Sequence, residues 1–228
     1  MKTLKKLINW TIVFSLTGIL TQCNKSTAKK TSCQIITVTP APNGTPFHLT
    51  YNSDGKPIRV ESQDFLMIYE YNTSSTTISS FSGGNFQAKT VATLNSDGLA
   101  TNVRTDLDSL GTNWSNIIYE YNGQELSRST QTSSTNGRPV VSTYTWSNQN
   151  LVLIVTDTTS ETLGYYLDKP VQAGDYFLLV QQLQGYDLYR NKNLLKSLDA
   201  TSLNYQFGSD GKINSLSATT GANENFLN

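Results

Sequence analysis

The side chains able to do chemistry in this chain are few and widely spaced. His48 is the only histidine among 228 residues, and the cysteines are Cys23 and Cys33. A histidine-rich metal site or a histidine-based triad therefore has one candidate. A Cys–His nucleophile would need a histidine close to Cys33, and none lies nearby in sequence. Glu70 and Glu120 recur in matching words, Ile68-Tyr69-Glu70-Tyr71-Asn72 and Ile118-Tyr119-Glu120-Tyr121-Asn122. Two carboxylates facing each other across a groove would suit glycoside hydrolysis. Three Ser-Asp-Gly turns offer oxygen ligands but lack the full alternating carboxylate series of a calcium loop. The aromatic residues form the richest group. Trp114, Tyr119, Tyr121 and Trp146 are the candidates for ligand contact, by stacking on sugar rings or holding an apolar ligand.

Each candidate also has a purely structural role open to it. His48 shares a strand face with Thr50, where a solvated or hydrogen-bonded imidazole is ordinary. Repeated Glu on the outer face of a strand is usually solvated or paired with a cross-strand Lys or Arg. Tyr69, Tyr71, Tyr119, Tyr121, Tyr144 and Trp146 fall on same-face ladders that could equally pack as core. Trp114 follows the loop-like Gly111-Thr112-Asn113 and is harder to place in a core. On these residues the chain is expected to be non-catalytic, with no cofactor and no metal.

The elements that position these side chains read as strands. Phe47, Leu49 and Tyr51 alternate with His48 and Thr50, and Asn52-Ser53-Asp54-Gly55 then precedes a second alternating run from Lys56 to Glu61. Asp-Gly between alternating runs is a hairpin signal, because glycine accepts the positive φ that a tight turn demands. The device recurs at Asn95–Gly98 and Gly208–Gly211, with variants at Asn122-Gly123 and Asn136-Gly137. The prediction is an all-β antiparallel hairpin meander. Such a sheet must curl, close or split to protect its apolar face, giving a strongly curved open sheet or partial barrel. One stretch departs from this pattern. Phe177, Val180 and Leu183 follow Asp175 at three-residue steps, which predicts a short helix near residues 175–183, capped by Asp175 and able to cover the open sheet. Asn191–Ser197 reads as an irregular connection into a last hairpin from Leu203 to Ala218.

The N-terminus carries an address. Lys2, Lys5 and Lys6 precede an apolar run from Leu7 to Leu20, too short for a membrane span and suited to a secretory signal. Leu20-Thr21-Gln22-Cys23 resembles a bacterial lipobox, with Gln22 in place of the usual Gly, Ala or Ser. The resemblance implies cleavage after Gln22, acylation of Cys23 and anchoring in the membrane by its acyl chains. The competing reading is a secreted protein with a Cys23–Cys33 disulfide. The point where the apolar run stops favours acylation, which leaves Cys33 as a thiol at the edge of the folded part. The expected organisation is a signal at 1–22, a tether at 23–33 and one all-β domain at 34–228. No acidic residue follows Cys23 before Asp54, which points to a periplasm-facing outer-membrane lipoprotein.

The hairpins at Leu49–Val60, Tyr119–Leu126 and Tyr205–Leu216 resemble the Y-x-Y-D-x-x-G-x-L-x-x-I units of Bacteroidota-type lipoproteins of unknown function, one family of which is described as porin-like. Tyr144–Leu151 and Lys192–Ser197 add to the likeness. It implies a curved antiparallel sheet on a lipid tether and no known activity. The many Ser, Thr and Asn positions fit a water-soluble sheet better than the lipid-facing bands of a transmembrane barrel.

Charge narrows the partners. Three of the 17 basic residues leave with the signal, so 14 face 17 acidic ones in the mature chain. Nucleic acid is excluded as a partner, because phosphate binding needs a clustered cationic face. The remaining partners are the membrane, through the anchor, and a glycan, an apolar ligand or an envelope protein. A binding module predicts aromatics in a concave groove, whereas a scaffold predicts a filled sheet. A periplasmic carrier of lipid predicts a large dry cavity. A glycan-acting enzyme predicts converging polar groups.

Overall fold

The computed structural model describes residues 34–39 and 44–220. Its strands follow the alternation. In order they are β1 (Thr37–Val38), β2 (Phe47–Tyr51), β3 (Pro57–Glu61), β4 (Phe65–Tyr71) and β5 (Ser75–Ser82). Next come β6 (Asn85–Leu94), β7 (Ala100–Asp106), β8 (Trp114–Asn122), β9 (Glu125–Ser133) and β10 (Val140–Ser147). The chain continues through β11 (Asn150–Thr156), β12 (Thr159–Pro170), helix α1 (Tyr176–Gln184), β13 (Asn193–Leu198), β14 (Thr201–Phe207) and β15 (Ile213–Thr220). All 15 strands form a single sheet in sequence order, each antiparallel to the next. This is the meander the hairpin signals predict.

The repeated turns are built alike. Asn52 and Asn95 each accept, through the side-chain Oδ1, the amides two and four residues on. Gly55, Gly98 and Gly211 sit at φ of 78°, 77° and 76°, where a side chain would be strained. Gly208 replaces asparagine in the third copy, and there Asp210 Oδ1 accepts from Lys212 N instead.

Cross-strand partners reveal how the sheet curls. Starting from Thr50, the outward-facing row runs through Arg59, Ile68, Ser79, Lys89 and Asp106 to Trp114. Thr50 sits beside the β2–β3 turn, while Trp114 sits beside the β7–β8 loop at the opposite end of the strands. A row that climbs from one rim to the other is the stagger of tilted strands in a barrel-like sheet. The curl brings both ends of the meander onto one core: Val38, Leu49, Val60, Tyr69 and Ile78 cluster with Leu151, Leu163, Leu195, Leu203 and Leu216. Phe177 and Leu179 of α1 belong to the same cluster, so the helix lies inside the curve. Among the described residues, β1 and β15 are not hydrogen-bonded to each other. The barrel stays open.

Helix α1 begins as the sequence predicts. Asp175 caps it by accepting from Leu178 N, and Gly185 at φ 74° ends it by donating its N–H to Gln181 O and Gln182 O. The connection expected over Asn191–Ser197 is corrected: Asn193–Leu198 is strand β13. Leu194 and Leu195 are both buried, so the alternation that marks a half-exposed strand is missing.

Candidate functional site

Three of the four aromatic candidates converge inside the curve. Tyr119 is 8% exposed and clusters with Ala92, Ala100, Val103 and Leu126, and Tyr121, Tyr144 and Trp146 pack against that group. The polar ends of Tyr121, Trp146 and Tyr144 are taken up internally. Tyr121 Oη donates to Ala100 O at 2.7 Å, and Trp146 Nε1 donates to Leu126 O at 2.8 Å. Tyr144 Oη pairs with Ser129 Oγ at 2.9 Å.

The space in front of them is filled by the segment that follows α1. Tyr186, Leu188 and Tyr189 pack against this aromatic group. Gln181 shapes the segment: its buried Oε1 accepts from Leu188 N at 2.6 Å and from Tyr189 N at 3.0 Å. Ala100 N donates to Asp187 O at 2.8 Å, and Arg190 Nη2 donates to Asp97 O at 2.8 Å. Burial pushes the phenols of Tyr119 and Tyr189 well above the ordinary tyrosine value, and that of Tyr186 up to about 12. These phenols stay neutral at any physiological pH.

The pattern extends along the interior. Tyr69 Oη donates to Leu183 O at 2.7 Å, Tyr71 Oη to Pro57 O at 2.8 Å and Tyr165 Oη to Leu151 O at 2.7 Å. Tyr51 Oη donates to Ile35 O and accepts from Gln182 Nε2. Sequence reasoning identified the tyrosine faces but missed Tyr186, Tyr189 and Gln181. Their only signal is a pair of tyrosines just beyond the Gly185 that ends the helix.

Trp114 stands apart from these, half-buried on the convex face. The Arg104 guanidinium lies 4.9 Å from its ring centroid, and Arg104 Nε donates to Asp106 Oδ1 at 2.9 Å. The preceding loop is fixed by Asp108, whose carboxylate accepts from Leu110 N, Thr112 N, Thr112 Oγ1 and Asn113 N. Those donors, the Thr112 hydroxyl foremost, lower its pKa to about 2. Leu110, 84% exposed, projects from the loop. Trp114 N donates to Ser134 Oγ, which joins this loop to the one after β9.

The remaining candidates also lie on the convex face. His48 Nδ1 is 3.4 Å from Thr37 Oγ1, and its cross-strand neighbour is Glu61. Glu120 pairs at 3.3 Å with Arg128, its cross-strand partner, while Glu70 stands exposed opposite Thr77. Four strand spacings of ~4.8 Å separate β4 from β8, about 19 Å along the sheet. That exceeds the carboxylate separations used in glycoside hydrolysis. Cys23 and Cys33 lie outside the described residues.

No protein-family profile and no curated protein matches the chain. Its fold is similar to that of a porin-like protein from Bacteroides uniformis ATCC 8492. The two superpose with a TM-score of 0.58 at 16% identity, over 81% of this chain and 88% of that one. At this identity the likeness establishes the fold.

Proposed function

We propose that this is a lipid-anchored cell-envelope protein that acts without catalysis, as a binding or scaffolding module working through its outer surface. The observation that carries this reading is the filled interior. Helix α1 and residues 185–190 occupy the curve, and the hydroxyls of Tyr69, Tyr71, Tyr121 and Tyr165 are bonded to carbonyls of the same chain. A ligand entering the curve would displace the helix and the segment after it and leave Tyr69 Oη and Ala100 N without their partners, each at a cost of about 1–3 kcal/mol. Outward-facing Arg59, Lys89, Arg104 and Asp106 support a water-facing rather than a lipid-facing convex surface. The anchor at Cys23 and the periplasm-facing location rest on the sequence.

The test uses the purified domain from Lys25 onward, with soluble peptidoglycan fragments, envelope oligosaccharides and phospholipid micelles as probes. Amide exchange of Tyr176–Gln184 is followed as each is added. Outer-surface binding leaves the helix amides protected and is weakened by Trp114→Ala if the indole is the contact. Loss of helix protection on adding lipid, with contacts at Tyr119, Tyr121 and Trp146, would establish the carrier of an apolar ligand instead. For the anchor, palmitate labelling of the wild type and of Cys23→Ala should differ; equal labelling, or none, refutes it.

A further inference from the structure

Strand parity assigns every connection to one of two rims. The turns after β2, β4, β6, β8, β10 and β14 share one rim, and those after β3, β5, β7, β9, β11 and β13 share the other. Because β12 runs toward the first rim and β13 leaves from it, both connections of α1 lie there. Leu99 bridges to Asp187, and Arg190 bonds the Asp97 carbonyl of the β6–β7 turn, which fixes the plug to that rim. The start of β1 belongs to the same rim. Leu49 N donates to Ile36 O and Tyr51 Oη to Ile35 O, so residues 34–36 run alongside the end of β2, toward the turn at Asn52.

We infer that this plug-bearing rim faces the bilayer, and that the opposite rim, with the loops at 107–113 and 134–139, faces away from it. The inference rests on the proposed acylation of Cys23. Eleven Cα steps separate Cys23 from Gln34, a reach of at most about 36–40 Å. The ten residues of β6 rise roughly 33 Å along the strand. Tilted by about 40°, that strand sets the rims roughly 25 Å apart, so with the opposite rim turned to the membrane the chain would have to run back farther than the ~17–20 Å root-mean-square span of a relaxed chain of this length. Lys25, Lys29 and Lys30 stand in that short segment and favour anionic headgroups, each by about 1 kcal/mol near the surface. Both effects hold Gln34 close to the bilayer and leave Leu110 and Trp114 on the far side.

The experiment uses the full acylated chain with Cys33→Ser, reconstituted in phosphatidylethanolamine–phosphatidylglycerol vesicles containing a nickel-chelating lipid. Single cysteines for spin labels replace exposed Ser53, Ser96 and Ser209 on the plug-bearing rim, and Ser109 and Thr135 on the other. Headgroup nickel should enhance relaxation severalfold more at the first three sites than at the last two. Equal enhancement at both rims, or the reverse order, overturns the orientation. Flotation with the vesicles and palmitate incorporation are scored in the same preparations. Acylated, floating protein with no difference between rims refutes the orientation alone, whereas unacylated protein refutes the anchor and the orientation with it.

Discussion

Asp175 accepts the Leu195 amide at 3.0 Å, joining the cap of α1 to the backbone of β13. Leu195 lies beyond the two residue pairs that join β13 to β14, Ser197 with Ser202 and Leu198 with Thr201. The carboxylate thus binds an amide that β14 does not reach, while its other oxygen accepts from Leu178 N. One buried side chain fixes the helix against the inside of the sheet.

Replacing Asp175 with alanine removes the cap and leaves a buried N–H unpaired. The expected loss is about 2–4 kcal/mol, roughly 1 from the cap and 1–3 from the orphaned amide. Urea unfolding measures it, and a loss below 0.5 kcal/mol would show that the helix is held by packing alone. Asp175→Asn keeps an acceptor and should cost less.

The same residue makes stability depend on pH. Burial raises the Asp175 pKa above its ordinary 3.8, against the lowering by the Leu195 and Leu178 amides. A carboxyl whose folded pKa is raised contributes stability that is complete below the unfolded value and is lost as pH rises through the folded value. Urea midpoints of the wild type and Asp175→Asn, compared from pH 3.5 to pH 7, should converge as pH rises. A gap that stays constant would contradict the shift.

Gly185 and Gly84 form a matched pair. Both have positive φ, 74° and 79°, but a Cβ at Gly185 would come within 2.7 Å of Tyr69 Cδ1, while nothing lies within 4 Å at Gly84. Gly84→Ala should cost about 1–2 kcal/mol from the backbone alone. Gly185→Ala should cost about 2–5 kcal/mol, because overpacking adds to it. Thermal or urea unfolding of the two variants side by side decides the matter, and equal losses would place the helix end away from Tyr69.

Tyr69→Phe removes the hydroxyl bonded to Leu183 O. A loss of about 1–2 kcal/mol in unfolding free energy is expected. Amide exchange should quicken in the last turn of α1 while the far strands β7–β9 are unchanged.

Asp108→Ala should loosen one loop and little else. The amides of Leu110, Thr112 and Asn113 lose their acceptor and should exchange faster, with the unfolding midpoint nearly unchanged. Because the folded pKa is lowered to about 2, the wild-type protection should persist below pH 3.8 and fade only as pH approaches 2. Unaltered exchange in the variant would mean that the loop is held by its neighbours.

Much of this was legible residue by residue. Leu49 and Tyr69 face inward while His48, Ile68 and Glu70 face outward, as the period of two requires, because alternation is a property of the strand itself. The Asn-Ser-Asp-Gly turns, the Asp175 cap and the Glu120–Arg128 cross-strand pair follow from chemistry within a few positions in sequence. Strand β13 escaped because burial of both Leu194 and Leu195 erased its period.

What the sequence alone determined is therefore the set of hairpins, their inward and outward faces and helix α1. Each depends on local φ preferences and short-range hydrogen bonds. The tertiary structure decided that the sheet stays open, that α1 and Tyr189 fill it, and that Trp114 is parted from Tyr119, Tyr121 and Trp146. These outcomes depend on twist and stagger summed over fifteen strands, and on contacts such as Tyr69 with Leu183, 114 positions apart in the chain. No local window contains both partners of such a contact, so only the folded chain could settle which face of the sheet is filled and which remains free to act.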